Sequence, residues 1–314
     1  MSLLVDAALF GVGVLVVVVS AEQLVEATIG LSRRLGVSAF LVGVVAIGFD
    51  AENLAVGVAA SYEATAGIAL GSVVGAAMVA IALAFGLTAV LVPLEFGRVP
   101  VRILALPVGA LALLTGLALD GQLSRLDGGL LLGGYLVSIG LLARWERRGI
   151  HVAPVEAVEE EGREAASRGL WGTLAWVLLA VAGVVAGSEL LLRGARPLIA
   201  ALGWTDTLFG MTVLALLVSV EEVARELPAA LKGRPDVSFG NVVGSALAFF
   251  GFNAGAIALV RPVPVGPATQ SFYLPVCGAA LLLVVALMAM RRVPRWGGVG
   301  LLVLYAVFVG APFL

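Results

Sequence analysis

The chain is a series of long apolar runs separated by short polar breaks that carry arginine, proline and glycine. Most runs approach or exceed the roughly 20 residues that an α-helix needs to cross a bilayer. They predict an all-α, polytopic membrane protein. Its ten helices are expected at 7–31, 36–60, 66–92, 102–119, 127–144, 170–192, 204–231, 236–260, 270–290 and 297–313, with breaks that include Gly194 to Pro197.

Composition agrees with this pattern. Of 314 residues, 61% are hydrophobic and 13% are charged, and the mean hydropathy is +1.10. That charged fraction is about half of what a soluble domain carries. No basic patch accompanies the net charge of −2, so no nucleic-acid partner is expected. Cys277 and His151 are the only residues of their kinds, which excludes an internal disulfide and a cysteine or histidine metal centre within the membrane.

The distribution of basic residues predicts the orientation. Fourteen of the 19 lysines and arginines fall in alternate loops, four fall in the other loops, and Arg225 lies inside a span. The positive-inside rule then places both termini outside the cell membrane. We expect a first five-helix repeat at 1–143, a cytoplasmic linker at 144–169 and a second repeat at 170–314. Five spans per half invert the second repeat relative to the first.

Two blocks of sequence repeat at an offset of 169 residues without a gap. Residues 46–53 (AIGFDAEN) align with 215–222 (ALLVSVEE), and 71–75 (GSVVG) align with 240–244 (GNVVG). Each block places carboxylates inside an apolar run and follows them with two glycines that allow close helix packing. Self-similarity of this kind, with ionisable groups at membrane depth, is typical of a repeat-built transporter.

The polar residues of these blocks are candidate cation ligands. Asp50, Glu52, Glu221 and Glu222 lie inside predicted spans, where an unpaired carboxylate costs several kcal/mol. Residues three apart share a helix face, which brings Asp50 beside Asn53 and Ser219 beside Glu222. Their oxygens suit Na⁺ or Ca²⁺ rather than soft metals. The nearby oxygens are those of Ser72, Asn241 and Ser245.

The second block resembles the alpha-repeat of the cation/calcium exchanger superfamily, the sodium/calcium exchangers and their proton-coupled relatives. Residues 210–222 (GMTVLALLVSVEE) keep its Gly, Thr, Ala, Ser and Glu, and 240–245 (GNVVGS) keep its second motif. The resemblance implies ten helices in two inverted halves. It also implies a cation site made by Asp50, Asn53, Ser219 and Glu222, with Ser72, Asn241 and Ser245 beside it.

Several residues depart from that pattern. Glu52-Asn53 and Glu221-Glu222 stand where the family has Pro-Glu, so the proline kink is expected to be absent from both helices. Asn53 replaces the first repeat's glutamate. Ala80 and Phe249 stand where Asn or Asp ligands are usual in the family.

The predicted function is that of a secondary cation antiporter with alternating access to a midplane carboxylate site. No nucleotide-binding motif is present, so a Na⁺ or H⁺ gradient would drive transport of Na⁺, Ca²⁺ or H⁺. No cofactor and no enzymatic activity are expected, and the partners are inorganic cations and the lipid bilayer. The oligomeric state stays open.

Two alternatives remain open at this point. One is a proton-coupled exchanger, in which Glu52 and Glu221 supply protonatable groups. The other is a degenerate member that does not transport, an alternative that the substitutions at Asn53, Ala80 and Phe249 suggest. In either case Arg225 can neutralise Glu221 or Glu222. An intramembrane aspartyl protease is disfavoured because no second aspartate faces Asp50.

Overall fold

The computed structural model describes residues 3–34, 51–63, 65–96, 101–146, 170–219 and 235–310, together with Glu222, Glu226, Leu227, Ala230 and Leu231. The helices of the first half are α1 (Leu3–Arg34), α2 (Ala51–Tyr62), α3 (Ala66–Met78), α4 (Phe85–Leu91), α5 (Val101–Leu117) and α6 (Arg125–Glu146). A π-helix at Val79–Ala84 joins α3 to α4, and a 3-10 turn at Ala118–Asp120 follows α5.

The second half begins with the long helix α7 (Leu170–Leu202). It continues with α8 (Asp206–Phe209), α9 (Ala215–Val218), α10 (Pro235–Leu247), α11 (Ala254–Val260), α12 (Leu274–Ala289) and α13 (Arg295–Gly310). π-Helices at Gly210–Leu214, Ala248–Asn253 and Thr269–Tyr273 connect or precede these elements. The described residues among 222–231 are helical as well.

The described part of the chain has the helices of a polytopic membrane protein. Seven are long and apolar enough to cross a bilayer, and the helical stretches Asp206–Leu217 and Arg295–Gly310 are shorter and apolar. This confirms the predicted all-α membrane fold class. The count of ten stays a prediction, because most of 36–60 lies outside the described residues.

One predicted break is wrong. Helix α7 continues through Gly194 and Pro197 to Leu202, ten residues beyond the predicted end. Gly194 instead serves packing, because a Cβ there would lie 2.4 Å from the backbone nitrogen of Phe10 on α1. Proline removes only one backbone N–H, and neighbouring helices make such a loss tolerable inside membranes.

The two halves repeat in structure with the offset seen in the sequence. Helix α3, the π-helix Val79–Ala84 and helix α4 have counterparts in α10, Ala248–Asn253 and α11, and every boundary differs by 169 residues. Even the π-helices, which are rare and concentrate at functional sites, recur at the same place. The internal repeat is therefore conformational as well as sequential.

Helices α1 and α7 run antiparallel. A Cβ on Gly13 would meet the backbone of Leu191, one on Gly187 would meet Val17, and one on Gly183 would meet Ser20. The residue numbers rise on one helix as they fall on the other, which defines opposite directions. Because α1 and α7 open their respective halves, this packing supports an inverted second half.

Four two-residue strands, which the all-α prediction did not include, connect the halves. Strand β1 (Leu94–Glu95) pairs with β4 (Arg292–Val293), and β2 (Gln122–Leu123) pairs with β3 (Val263–Pro264), both antiparallel. Each ladder joins one loop of the first half to one loop of the second. In both cases the basic-residue distribution had assigned the two loops to the same membrane face.

The centre of the molecule is formed by the helices that carry the repeated glycine motifs. In the 18-residue apolar window within Gly67–Leu91, 94% of the residues are buried, against 28% in Leu3–Ser20. Outer helices expose large aliphatic side chains such as Leu15, Leu136 and Leu178. Such apolar exterior surfaces fit contact with lipid. The motif residues are thus held in the interior.

Candidate cation site

A helix ends directly before Ser219, the first of the two predicted ligands Ser219 and Glu222. Helix α9 ends at Val218, and Ser219 has φ −108° and ψ 19°. The backbone N–H of Glu222 donates to the Ser219 carbonyl at 3.1 Å, instead of reaching back four residues to Val218 as in a continuous α-helix. The family's proline kink is absent from this sequence, yet helix α9 ends at Val218.

A helix break of this kind has chemical consequences inside a membrane. It releases backbone carbonyls from helical pairing, and released carbonyls at membrane depth are tolerated where they are buried in protein or line a cavity. Discontinuous helices also form the ion sites of many transporters.

One hydrogen bond joins the two halves at the motif residues. The side-chain nitrogen Nδ2 of Asn53, on α2, donates to Oγ of Ser219 at 3.0 Å. Both residues are fully buried. Asn53 belongs to the first repeat and Ser219 to the second, so the structure brings predicted ligands of both halves together.

A second group of contacts surrounds Glu222. Asn241 Nδ2 donates to Glu222 Oε2 at 2.6 Å, and Ser245 Oγ donates to Glu222 Oε1 at 3.4 Å. Asn241 and Ser245 lie one turn apart on α10 and are buried, as is Glu222. Two of the predicted ligands are therefore gathered around the carboxylate of a third, Glu222.

Glu226 belongs to this group, although it was not among the predicted site residues. It lies four residues after Glu222, is completely buried and accepts a hydrogen bond from Asn241 Nδ2 at 3.0 Å. The signal was present in the sequence, since residues four apart share a helix face. A single amide group therefore donates to two buried carboxylates.

The other predicted site residues are less closely involved. Ser72 is buried, but its hydroxyl donates to the carbonyl of Ala69 in its own helix at 3.1 Å. Glu52 is buried in the first turn of α2. Asp50, Glu221 and Arg225 lie outside the described residues.

The positions where the family has further ligands are apolar. Ala80 and Phe249 are buried, and they occupy equivalent positions in the two π-helices. Within the described ranges, no three His, Cys, Asp or Glu side chains gather into a metal-binding group. Hydroxyl and amide oxygens therefore make up a large share of this site, as hard cations accept.

A separate cavity of about 550 Å³ lies between α2 and α7. Aliphatic residues such as Leu54, Val58 and Val184 form most of its wall. The carboxylates at its edge are paired, Glu63 with Arg196 and Glu189 with Arg193. Apolar walls and neutralised acids make this cavity unsuited to a cation.

The family to which these features belong follows from sequence comparison. The family model described as sodium/calcium exchanger protein matches residues 5–143 and 172–314, which is most of both halves. The chain belongs to the sodium/calcium exchanger family. This confirms the superfamily predicted from the motifs, and with it a secondary antiporter resembling sodium/calcium exchangers.

Relatives of this exchanger family match along nearly the whole chain. The putative antiporter CaxA of Alkalimonas amylolytica is 28% identical and the match covers 96% of each chain. The inner membrane protein YrbG of Escherichia coli (strain K12) is 31% identical, over 96% of this chain and 94% of YrbG. A structure of the sodium-calcium exchanger NCX_Mj, soaked with Na⁺ and Sr²⁺, aligns with a TM-score of 0.63 and 22% identity over 99% of each chain, which shows a common fold.

Proposed function

We propose that the cation transported by this exchanger binds where the two halves meet, at Asn53, Ser219, Glu222, Asn241 and Ser245. The single observation that carries the proposal is the buried Asn53–Ser219 contact, three residues from a buried carboxylate and beside a helix break. Asp50 and Ser72 complete the proposed ligand set. Glu52, Glu221 and Arg225 are proposed as proton-binding or accessory residues.

The chemistry of these groups favours Na⁺ and Ca²⁺ as the exchanged ions. Carboxylate, amide and hydroxyl oxygens are the ligands of hard cations. The NCX_Mj structures were obtained in the presence of Na⁺, Ca²⁺ or Sr²⁺, which supports the same ions here. Two ions that compete for Glu222 cannot occupy the site together, so occupation by one requires release of the other. Alternating access would come from rocking of the bundle that holds spans 2, 3, 7 and 8.

The topology predicted from the sequence forms part of the same proposal. It comprises a cell-membrane location with both termini outside and two repeats at 1–143 and 170–314 around a cytoplasmic linker. The two ranges that match the family model support the division, and the pairing of loops by the two ladders supports the alternation of faces. Enzymatic activity and a resident cofactor are not part of this function.

Transport in proteoliposomes tests the function. Protein reconstituted in vesicles loaded with Na⁺ is expected to take up Ca²⁺ when the outside is free of Na⁺, and Glu222→Gln is expected to abolish uptake. Glu95→Gln is the matched control, because Glu95 is exposed and lies 3.7 Å from Arg292 at the end of the bundle. Equal uptake by wild type and Glu222→Gln would refute the proposed site.

Proton coupling is the second candidate, because acid residues are numerous in the motif blocks. It predicts Ca²⁺ or Na⁺ uptake driven by protons that leave the vesicles, when the interior is acidic and contains no Na⁺. The same vesicles separate the two mechanisms. Protein that responds to neither gradient, although it is folded and inserted, would correspond to a member that does not transport.

A further inference from the structure

The carboxylates of the described site belong to one half of the molecule. Glu222 and Glu226 are both in the second half, and Asn53 occupies the place that corresponds to Glu222 in the first. A site for a divalent cation generally needs about two carboxylates among six or more oxygen ligands. Asn53 supplies an amide where the family has an acid, so the position of the second carboxylate is the open question.

The geometry around Asn241 answers it. Its Nδ2 atom lies 2.6 Å from Glu222 Oε2 and 3.0 Å from Glu226 Oε1, so two carboxylates converge on one point. Oxygen ligands surround Ca²⁺ at 2.3–2.6 Å, only slightly closer than these distances. An asparagine amide that turns by 180° exchanges its NH₂ for its carbonyl oxygen. The amide nitrogen therefore occupies the position that a cation would take. When a cation enters, the side chain has to withdraw and turn, so that its carbonyl oxygen faces the ion as a ligand.

Two buried oxygens beside this point have no visible partner. Oε2 of Glu226 accepts no hydrogen bond from the described residues, although the side chain is 0% exposed. The hydroxyl of Ser238 is likewise buried and without a hydrogen bond to any described group. Ser238, Asn241 and Ser245 follow one another at helical spacing on α10, so Ser238 extends the same polar face by one turn.

The order of the side-chain contacts along α10 shows that Ser238 lies at the end of the site nearest Glu226. Along α10, Ser245 contacts Glu222, whereas Asn241, one turn earlier, contacts both Glu222 and Glu226. Moving one further turn toward the start of α10 therefore leads to the level of Glu226 and beyond it. Ser238 lies at that level, where Glu226 Oε2 lacks a partner. An ionised carboxylate buried with one oxygen lacking a donor is unfavourable unless a cation or a proton neutralises it, and a cation that binds here would supply the missing partner of Glu226 Oε2.

We propose that Glu226 is a cation ligand that pairs with Glu222 around one divalent cation, with Asn241 and Ser238 completing its shell, and that it replaces the first-half carboxylate missing at Asn53. The inference rests on the proposed function, and it selects a divalent cation as the transported species. The two carboxylates of this site then come from the second half, while Asn53 of the first half stays at its edge through its contact with Ser219.

Cation binding to the purified, full-length protein tests this assignment. Apparent dissociation constants for Ca²⁺ and Na⁺ are measured by cation-dependent thermal shift for wild type, Glu226→Gln and Ser238→Ala. Because ligand charge sets affinity in such sites, Glu226→Gln is expected to weaken Ca²⁺ binding by about tenfold or more, and Na⁺ binding less. Ser238→Ala is expected to weaken Ca²⁺ binding about threefold, while Glu95→Gln leaves it unchanged.

A rescue experiment separates a ligand from a merely structural residue. Introducing Asn53→Glu, or the shorter Asn53→Asp, into Glu226→Gln returns a second carboxylate from the other half and is expected to recover most of the Ca²⁺ affinity. If Glu226→Gln does not fold, Glu226→Asp and Ser238→Ala provide the measurement. If the Glu226 and Ser238 variants that fold bind Ca²⁺ as tightly as wild type, the inference is overturned, while the proposed function stands. A wild-type protein that binds neither ion would overturn the proposed function itself.

Discussion

Removal of the Asn241 amide is the perturbation with the clearest structural consequence. Asn241→Ala deletes the donor shared by Glu222 and Glu226 and leaves both carboxylates buried. A hydrogen bond to a charged group contributes about 1.5–3 kcal/mol, so the loss of two amounts to about 3–6 kcal/mol in cation-free protein. Compensation by Ser245 is weak, because its 3.4 Å contact is long for a hydroxyl donor.

The assay is thermal unfolding in detergent, with a chelator present and then with Ca²⁺. At about 2–4 °C per kcal/mol for a chain of a few hundred residues, Asn241→Ala is expected to lower the Tm by about 6 °C or more without cations. Ca²⁺ is expected to recover much of this loss, because a bound cation neutralises the two acids that the amide otherwise serves. The Ca²⁺-induced rise in Tm is therefore larger in the variant than in wild type.

Ser138→Ala, on α6 and outside the proposed site, is the matched control for this experiment. Its hydroxyl donates to the carbonyl of Gly134 in its own helix, so its loss is expected to change the cation-free Tm by about 1 °C or less. The reasoning is refuted if Asn241→Ala melts within about 1 °C of wild type in the chelator. That result would mean that the amide does not stabilise the two carboxylates.

Three further substitutions test other parts of the structure. Gly75→Ala places a Cβ 2.5 Å from that of Ala215 and should lower the free energy of unfolding by about 1–3 kcal/mol. Gly129→Ala is the control, because a Cβ there meets open space and should not lower the Tm. Equal Tm values for the two variants would contradict the close packing at Gly75. Ser219→Ala removes the contact with Asn53 and should raise the KM for the transported cation about two- to tenfold in vesicles, and an unchanged KM would exclude Ser219 as a ligand. Phe249→Asp should lower the Tm in a chelator and strengthen Ca²⁺ binding, and a variant that Ca²⁺ does not stabilise would place residue 249 outside the site.

Much of the architecture follows from motifs and helix ends that recur at the same spacing in both halves of the sequence. The blocks at Ala46–Asn53 and 215–222, with their glycine motifs, lie at one offset, and the helices at 66–91 and 235–260 begin and end at that same offset. Two copies with equal spacing between their breaks must fold with equal helix lengths. The close approach of Gly75 to Ala215 could likewise be anticipated, because small residues at helix interfaces allow backbones to meet.

The misplaced features are those that local sequence does not determine. Pro197 was taken as a break, yet packing against α1 keeps α7 helical through it. Helix α9 ends at Val218 without a proline, and the local sequence gives no signal for this end. Glu226 was overlooked because the family motif ends at Glu222, and spacing alone does not show that a residue one turn further on faces the same neighbouring helix.

The two halves have nearly the same backbone structure, yet they differ in charge at the position of Asn53 and Glu222. In an inverted repeat, exchanging the conformations of the two halves converts a protein open to one side into a protein open to the other. Here that exchange would put the neutral Asn53 where Glu222 stands, so the two open forms are chemically distinct. We therefore expect the affinity for the transported ion to differ between the two membrane faces. The rate of exchange is expected to be higher in one direction than in the other.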